Sequence, residues 1–248
     1  MCLPRSQTTA EPHSITFRTV SRSTVRGSVR SCTHCGGHHV AAGPPLSSRS
    51  ARCCHRRRAL TYTAPDAAHG QVVAEQHECA SCHGGRLVTS YPGLPSLAGQ
   101  PPSYVRLQLA AFRAKLRPNE AMQKVTASLK DQDIADIAAY AAGLNPSPAW
   151  QADDALRAKG AAPFNAGDGK RNFIACVVCH GANGRGDDRL GGASITNLAP
   201  EYAGRVLHEF KDAPGFPVPY PDAMRVVLKD YTQADLDAVV AYISSMTP

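Results

Sequence analysis

The sequence predicts an all-α protein that contains two tandem copies of one small helical domain. Three observations support this prediction: apolar residues recur at helical spacing, the second part of the chain repeats the first, and each part contains a C-x-x-C-H motif. Aligning Met122 with Met224 places Ile134 on Leu236 without a gap. Two copies of one fold explain why motif, helices and methionine recur in the same order.

Composition divides the chain into an extension, two domains and a linker. We assign residues 1–60 to a disordered or non-native N-terminal extension, 61–146 to domain 1, 147–165 to a linker and 166–248 to domain 2. The extension contains ten arginines and one acidic residue, whereas the rest has 17 Lys and Arg against 19 Asp and Glu. Because the basic charge lies entirely in the extension, we expect no nucleic-acid partner.

The extension shows no helical or strand period, which is typical of disorder. Its cysteines and histidines nevertheless offer conceivable zinc ligands: Cys32, Cys35, His38, His39, Cys53, Cys54 and His55. No periodic framework surrounds them, so a zinc site is the weaker interpretation. We find no secretory signal in residues 1–60 and no apolar run of about 18 residues that predicts a membrane span.

Apolar spacing places the main helices of each domain. In the first domain, one face carries Val105, Leu109, Phe112 and Leu116, and the final helix carries Ile134, Ile137, Ala141 and Leu144. The final helix of the second domain carries Leu236, Val239, Val240 and Ile243. Thr232 and Asp235 precede it with the spacing of a capping box. The equivalent cap in the first domain is Lys130, so we expect Asp131 to serve there instead.

The C-x-x-C-H motif occurs once in each domain, as Cys79, Cys82 and His83 and as Cys176, Cys179 and His180. Two thiols three residues apart near a helix end reach the vinyl groups on one edge of a porphyrin. The adjacent histidine then lies under the iron. The motif therefore predicts covalent attachment of a c-type haem, and its repetition predicts two haems.

Two other uses of paired cysteines fit less well. A thioredoxin-like dithiol occurs in a βαβ setting, and no strand pattern flanks either motif. A zinc ribbon brings both cysteine pairs to one ion, yet a full helical domain follows each pair and separates them.

Met122 and Met224 are the candidate sixth ligands of the two irons. Both lie on what we expect to be irregular segments before the final helix, at matching positions of the repeat. Histidine and methionine ligation raises the reduction potential and suits electron transfer. The alternative is that these methionines only fill the core. Met1 lies outside the fold, and Met246 lies beyond the last helical turn.

The histidine ligands also need a hydrogen-bond acceptor for their second ring nitrogen. The carbonyl of Pro95 is the candidate acceptor for His83. In the second domain we expect the carbonyl of Thr196 to take that place for His180.

These motifs together resemble the dihaem cytochrome c family, of the cytochrome c4 type. The resemblance covers roughly residues 66–248 and is carried by "CASCHG", "PSLAGQPPSYVRLQLAAFRAKLR" and "AMQKVTASLKDQDIADIAAYAA", with a weaker echo in the second domain. The echo departs in three places: Thr196 replaces a proline, three residues are missing between Leu198 and Tyr202, and a proline-rich insertion precedes Met224.

The resemblance implies two cytochrome c domains that exchange electrons between their haems. It also implies a bacterial periplasmic protein that carries single electrons between redox partners of a respiratory chain, such as a terminal oxidase, reductase or dehydrogenase. Peripheral association with membrane complexes is compatible with this role. An export signal is expected but absent, so we interpret residues 1–60 as foreign to the natural protein.

Two further functions stay open at this point. One is a haem-bearing electron-transfer subunit of a dehydrogenase complex, which the sequence does not separate from a diffusible carrier. The other, less favoured, is a dihaem peroxidase. A peroxidase needs an open iron position, and a methionine in both copies opposes it.

Overall fold

The computed structural model describes residues 60–212 and 219–247, which form ten α-helices and no strand, and the predicted all-α class is confirmed. Except for Leu60, the predicted extension and the candidate zinc ligands within it lie outside these residues. The first copy contains α1 (Ala67–Gln76), α2 (Cys79–His83), a 3-10 turn (Gly85–Leu87), α3 (Pro102–Arg113), α4 (Glu120–Thr126) and α5 (Asp131–Ala142). The second contains α6 (Asp154–Asn165), α7 (Val177–His180), α8 (Pro200–Asp212), α9 (Pro219–Leu228) and α10 (Gln233–Ser244). Within the described ranges, every helix is too short or too polar to cross a membrane.

In each copy the first helix crosses the last helix at a glycine. Helix α1 packs on α5, and α6 packs on α10. A Cβ atom on Gly70 would lie 2.0 Å from the carbonyl oxygen of Asp136, and one on Gly160 would lie 2.0 Å from that of Ala238. Asp136 and Ala238 are equivalent positions of the repeat, so both copies use the same close crossing, which only glycine permits.

The segment 147–165, predicted as a linker, contains the whole of α6. Because α6 packs on α10 as α1 packs on α5, its contacts place it within the second copy. Phe164 of α6 is fully buried there, at 0% exposure. Only the part of the segment before α6 runs between the copies, and the domain boundaries assigned from the sequence otherwise remain predictions.

Each copy has its own apolar core. The copy-one core consists of Val73, Leu87, Val105, Leu109, Leu129, Ile134, Ile137, Ala138 and Ala141. The copy-two core consists of Phe164, Phe173, Ala203, Leu207, Leu228, Tyr231, Leu236, Val239, Val240 and Ile243. The apolar faces predicted for the two final helices are therefore buried, except at Leu144, which lies beyond the end of α5 and is partly buried. The face predicted for α3 is buried except at Leu116, which lies beyond the end of the helix and is 42% exposed.

The two final helices begin with the same hydrogen bond from different residues. In α10 the Thr232 N–H donates to the Asp235 carboxylate at 2.8 Å, and the predicted capping box is present. In α5 the Lys130 N–H donates to Asp133 at 2.8 Å. The expectation that Asp131 caps α5 is wrong, because the helix begins at Asp131 and its N-cap residue is Lys130. The Asp131 carboxylate accepts a hydrogen bond from Arg113 at 2.6 Å.

The two copies form one compact unit, and residues 146–150 lie between them. A Cβ atom on Gly99 would lie 2.8 Å from the Pro146 ring. Ser147 Oγ and Trp150 Nε1 both donate to the carbonyl of Asn197, at 3.3 and 3.1 Å. Gly99 and Asn197 both have left-handed backbone, with φ of 76° and 60°. Asparagine is one of the few residues besides glycine that tolerate this conformation.

Asp136 is a buried carboxylate of α5, at 1% exposure. It accepts hydrogen bonds from the Asp66 N–H at 2.8 Å, from His69 Nδ1 at 2.7 Å and from Gln132 at 2.8 Å. Burial alone raises the pKa of Asp136, but these hydrogen bonds outweigh it, so the pKa lies below its usual value. The ionised carboxylate therefore ties the start of α1 to α5.

We predict that Gly160→Ala destabilises the second copy by about 1–3 kcal/mol, since the new methyl group forces α6 away from α10. The matched control is Gly204→Ala in α8, where a Cβ atom meets nothing within 4 Å. The control should gain up to about 1 kcal/mol from helix propensity. Chemical denaturation of both variants measures this, and equal stability in the two would contradict the close crossing.

We predict that Asp136→Asn lowers the free energy of unfolding by about 2 kcal/mol at pH 7, because it removes hydrogen bonds to a charged group. A depressed pKa contributes stability above the unfolded pKa, and this contribution disappears as the pH falls through the folded value. The difference between wild type and variant should therefore shrink below about pH 4. Denaturation at pH 7 and pH 3 tests this; a difference that does not change with pH would contradict it.

Candidate haem-binding sites

Each motif lies on a short helix, or in the second copy on a helix and its N-cap residue Cys176, and each helix is followed by a glycine with positive φ. Helix α2 is followed by Gly84 with φ of 78°, and α7 by Gly181 with φ of 76°. A Cβ atom on Gly84 would lie 1.9 Å from the carbonyl oxygen of Val88. Within α2, residues three apart share a face, so Cys79 and Cys82 are presented on the same side.

None of the four motif cysteines is paired in a disulfide. Cys79 and Cys176 are partly buried and pack against the core of their own copy, whereas Cys82 and Cys179 are exposed. Burial raises the pKa of Cys79, and it raises the pKa of Cys176 to about 11. In the part of the chain that the structure describes, no three His, Cys, Asp or Glu side chains gather as metal ligands.

The two motif histidines are buried, at 8% and 9% exposure, and each has one ring nitrogen bonded to a backbone carbonyl. His83 Nδ1 lies 2.8 Å from the Pro95 oxygen, and His180 Nδ1 lies 2.8 Å from the Ala193 oxygen. A carbonyl only accepts hydrogen bonds, so Nδ1 carries the proton and Nε2 keeps a free lone pair. Burial also lowers the pKa of both histidines. A neutral imidazole with Nε2 available is the form that binds iron.

The structure corrects the expected acceptor for His180. The acceptor is Ala193, and not Thr196, whose hydroxyl instead lies 3.3 Å from Ser194 Oγ. Proline therefore supplies the acceptor in the first copy and alanine in the second. The second copy keeps the carbonyl but not the rigid ring.

The error came from the alignment of the two copies. The Gly99 N–H donates to Ala141 at 2.8 Å, and the Asn197 N–H donates to Ile243 at 3.3 Å. Ala141 and Ile243 are equivalent positions of the final helices, so Asn197 corresponds to Gly99. The same offset pairs Tyr104 with Tyr202 and Pro95 with Ala193. No residues are missing before Tyr202, so the expected deletion was wrong.

Both candidate methionine ligands lie on helices, which differs from the irregular segments expected. Met122 is in α4, where its N–H donates to the side chain of the capping residue Asn119 at 2.9 Å. Thr126 Oγ1 donates to the Met122 carbonyl at 2.7 Å. Met224 is in α9. Met122 is therefore held in place by hydrogen bonds at the two ends of α4 and not by a stiff loop.

The structure brings the predicted cysteine and methionine of each copy to one apolar cluster. Cys79 and Met122 both pack against the copy-one core. Cys176 and Met224 both pack against the copy-two core, which Met246 also contacts. A soft sulfur donor and a porphyrin-attaching thiol at the edge of the same core are what a haem with a sulfur ligand requires.

Tyr231 is a site residue that the sequence reasoning missed. It is buried at 2% exposure, and its ring stacks on Phe173 with centroids 3.9 Å apart. Burial first, and then the neighbouring Cys176, raise the pKa of Tyr231 well above its usual value. The equivalent residue of the first copy is Leu129. The sequence signal that could have found this residue was therefore a tyrosine in one copy where the other has leucine.

A second missed group lies where the copies meet. Tyr104 of the first copy and Tyr202 of the second are both near the guanidinium of Arg117. Burial and the neighbouring Tyr202 raise the pKa of Tyr104 to about 12. Only the repeat relationship between the two tyrosines was visible in the sequence.

Comparison with known proteins identifies both copies as the same domain. The family model for cytochrome c matches residues 67–145 and again residues 166–247. Cytochrome c4 of Pseudomonas aeruginosa is 30% identical over 187 residues, which span 75% of this chain and 92% of the relative. The thiosulfate dehydrogenase electron acceptor of Stutzerimonas stutzeri is 31% identical, over 68% of this chain and 78% of the relative.

The fold agrees with a solved structure. Reduced recombinant cytochrome c4 from Pseudomonas stutzeri superposes with a TM-score of 0.69 and 30% identity, covering 74% of this chain and all of that one. The predicted resemblance, the two haems and the electron-transfer role are confirmed. It belongs to the cytochrome c family, as a dihaem electron-transfer protein with two covalently bound c-type haems.

Proposed function

We propose that Cys79 and Cys82 attach the first haem, and that His83 and Met122 supply its axial nitrogen and sulfur ligands. Pro95 serves this site by accepting the hydrogen bond from His83. We propose the same roles in the second copy for Cys176, Cys179, His180 and Met224. The observation that carries this proposal is the Nδ1–carbonyl hydrogen bond in both copies, which leaves Nε2 free beside two thiols.

The chain's own residues set the reduction potential of each haem. When bound, haem iron takes up and releases one electron. The hydrogen bond from His83 to Pro95 fixes the imidazole and increases its strength as a donor. The thioether of Met122 favours the reduced state and raises the potential. The apolar cores behind both sites exclude water, which keeps the environment unchanged during electron transfer.

We further propose that the chain carries electrons between periplasmic or membrane-bound partners in a bacterial respiratory chain. The similarity to cytochrome c4 supports this role. A second candidate is an electron-transfer subunit that receives electrons from a dehydrogenase. The similarity to a thiosulfate dehydrogenase electron acceptor favours this candidate specifically.

Two measurements decide between these roles. Pyridine-haemochrome analysis of purified holoprotein should give two haems per chain, and a smaller number would end the proposal. Reduced protein is then mixed with oxidase-containing membranes, and oxidised protein with thiosulfate and a thiosulfate dehydrogenase. If the membranes oxidise the protein rapidly and the dehydrogenase does not reduce it, the carrier role is supported. If the dehydrogenase reduces the protein rapidly and co-purifies with it, the subunit role is supported.

We predict that Met122→Ala and Met224→Ala each lower one of the two reduction potentials, since each removes a soft sulfur ligand from one iron. Each variant should also make one haem accessible to added imidazole. Met246→Ala is the matched control, because Met246 packs against the same core as Met224 without a proposed ligand role. Redox titration with visible spectra measures both effects. Unchanged titrations in both ligand variants, or an equal shift in the control, would show that the sixth ligands are misassigned.

A further inference from the structure

The side chain of Gln100, in the first copy, makes a reciprocal pair of hydrogen bonds with the backbone of Ser194, in the second. Gln100 Nε2 donates to the Ser194 carbonyl at 2.8 Å, and the Ser194 N–H donates to Gln100 Oε1 at 3.0 Å. The backbone N–H only donates and the carbonyl only accepts, so the orientation of the amide is fixed. Both residues are buried, at 6% and 7% exposure.

The bonded N–H belongs to the peptide unit whose carbonyl holds His180. That unit joins Ala193 to Ser194, so its carbonyl oxygen accepts from His180 Nδ1 at 2.8 Å while its N–H donates to Gln100. A peptide unit is planar, so fixing its N–H fixes the direction of its carbonyl. Donation by the N–H also polarises the carbonyl and makes it a stronger acceptor.

The two copies restrict the backbone at the residue that accepts the histidine hydrogen bond in different ways. In the first copy the acceptor residue is Pro95, whose ring fixes its own backbone angle. In the second copy it is Ala193, which has no such restriction. The residue of the second copy that is equivalent to Gln100 is Leu198. Its side chain has no amide, so it cannot form the same pair of hydrogen bonds with the first copy. The first copy therefore supports the second, and this contact has no counterpart in the opposite direction.

We propose that Gln100 is a positioning residue for the second haem, acting across the interface through the Ala193–Ser194 peptide on His180. This inference rests on the proposed role of His180 as an iron ligand. A firmly held acceptor increases the donor strength of the imidazole, and a stronger donor stabilises oxidised iron. Gln100 thereby lowers the potential of the second haem and leaves that of the first unchanged.

The test is a redox titration of the haem-loaded Gln100→Leu variant, which keeps the side-chain size and removes both hydrogen bonds. We expect the potential that responds to Met224→Ala to rise and the other to stay in place. The Ser194 amide should also exchange with solvent faster. Arg205→Met is the matched control: it removes a different hydrogen bond between the copies, from Arg205 to the Gly93 carbonyl at 3.0 Å. The control should not move the second potential.

A rescue variant separates positioning from general loosening of the interface. In the described part of the chain no hydrogen bond from the Ala193 N–H is found, so proline at this position removes none. Ala193→Pro added to Gln100→Leu gives the second copy the stiffener of the first and should restore the potential. No shift in Gln100→Leu, an equal shift of both haems, or the same shift in Arg205→Met would overturn the inference. A wild-type protein without two titrating haems would overturn the proposed function instead.

Discussion

The close crossing of the first and last helices is the contact on which each copy depends. Gly70 and Gly160 let these helices approach until backbone meets backbone. The motif helix follows the first helix, directly after residues 77–78 in the first copy and after residues 166–176 in the second, and the methionine helix precedes the last one. Fixing the crossing therefore fixes where the thiols and the histidine stand relative to the methionine. The frame of the domain sets where the haem sites lie, and the hydrogen bonds of His83, His180 and Met122 orient the side chains within it.

Features encoded in adjacent residues were predictable from the sequence. The apolar faces of α5 and α10 and the capping box at Thr232 were found because helical spacing and capping are local signals. Helix α1 was not located and α6 was assigned to the linker, because alanine, glycine and an internal Pro163 give little periodic contrast. They form because packing on the last helix stabilises them, and packing is not visible in a short stretch of sequence.

The sites divide in the same way. The C-x-x-C-H motif is local, and its chemistry followed directly from residue types. The acceptor for His180 depended on the alignment of the two copies, and an error of three residues there selected Thr196 in place of Ala193. The contact between Gln100 and Ser194 joins residues 94 positions apart. Only the packed structure could reveal it.

The loop that carries Ala193 to Asn197 takes its outside supports from earlier in the chain. Gln100 holds Ser194, and Ser147 and Trp150 hold Asn197. Since translation runs from the N-terminus, these groups are synthesised before the loop that needs them. The dependence is nevertheless mutual, because the Tyr202 N–H donates to the Pro92 carbonyl at 3.1 Å and Arg205 donates to the Gly93 carbonyl at 3.0 Å, just before Pro95. Each module therefore completes the loop that carries the other's histidine acceptor.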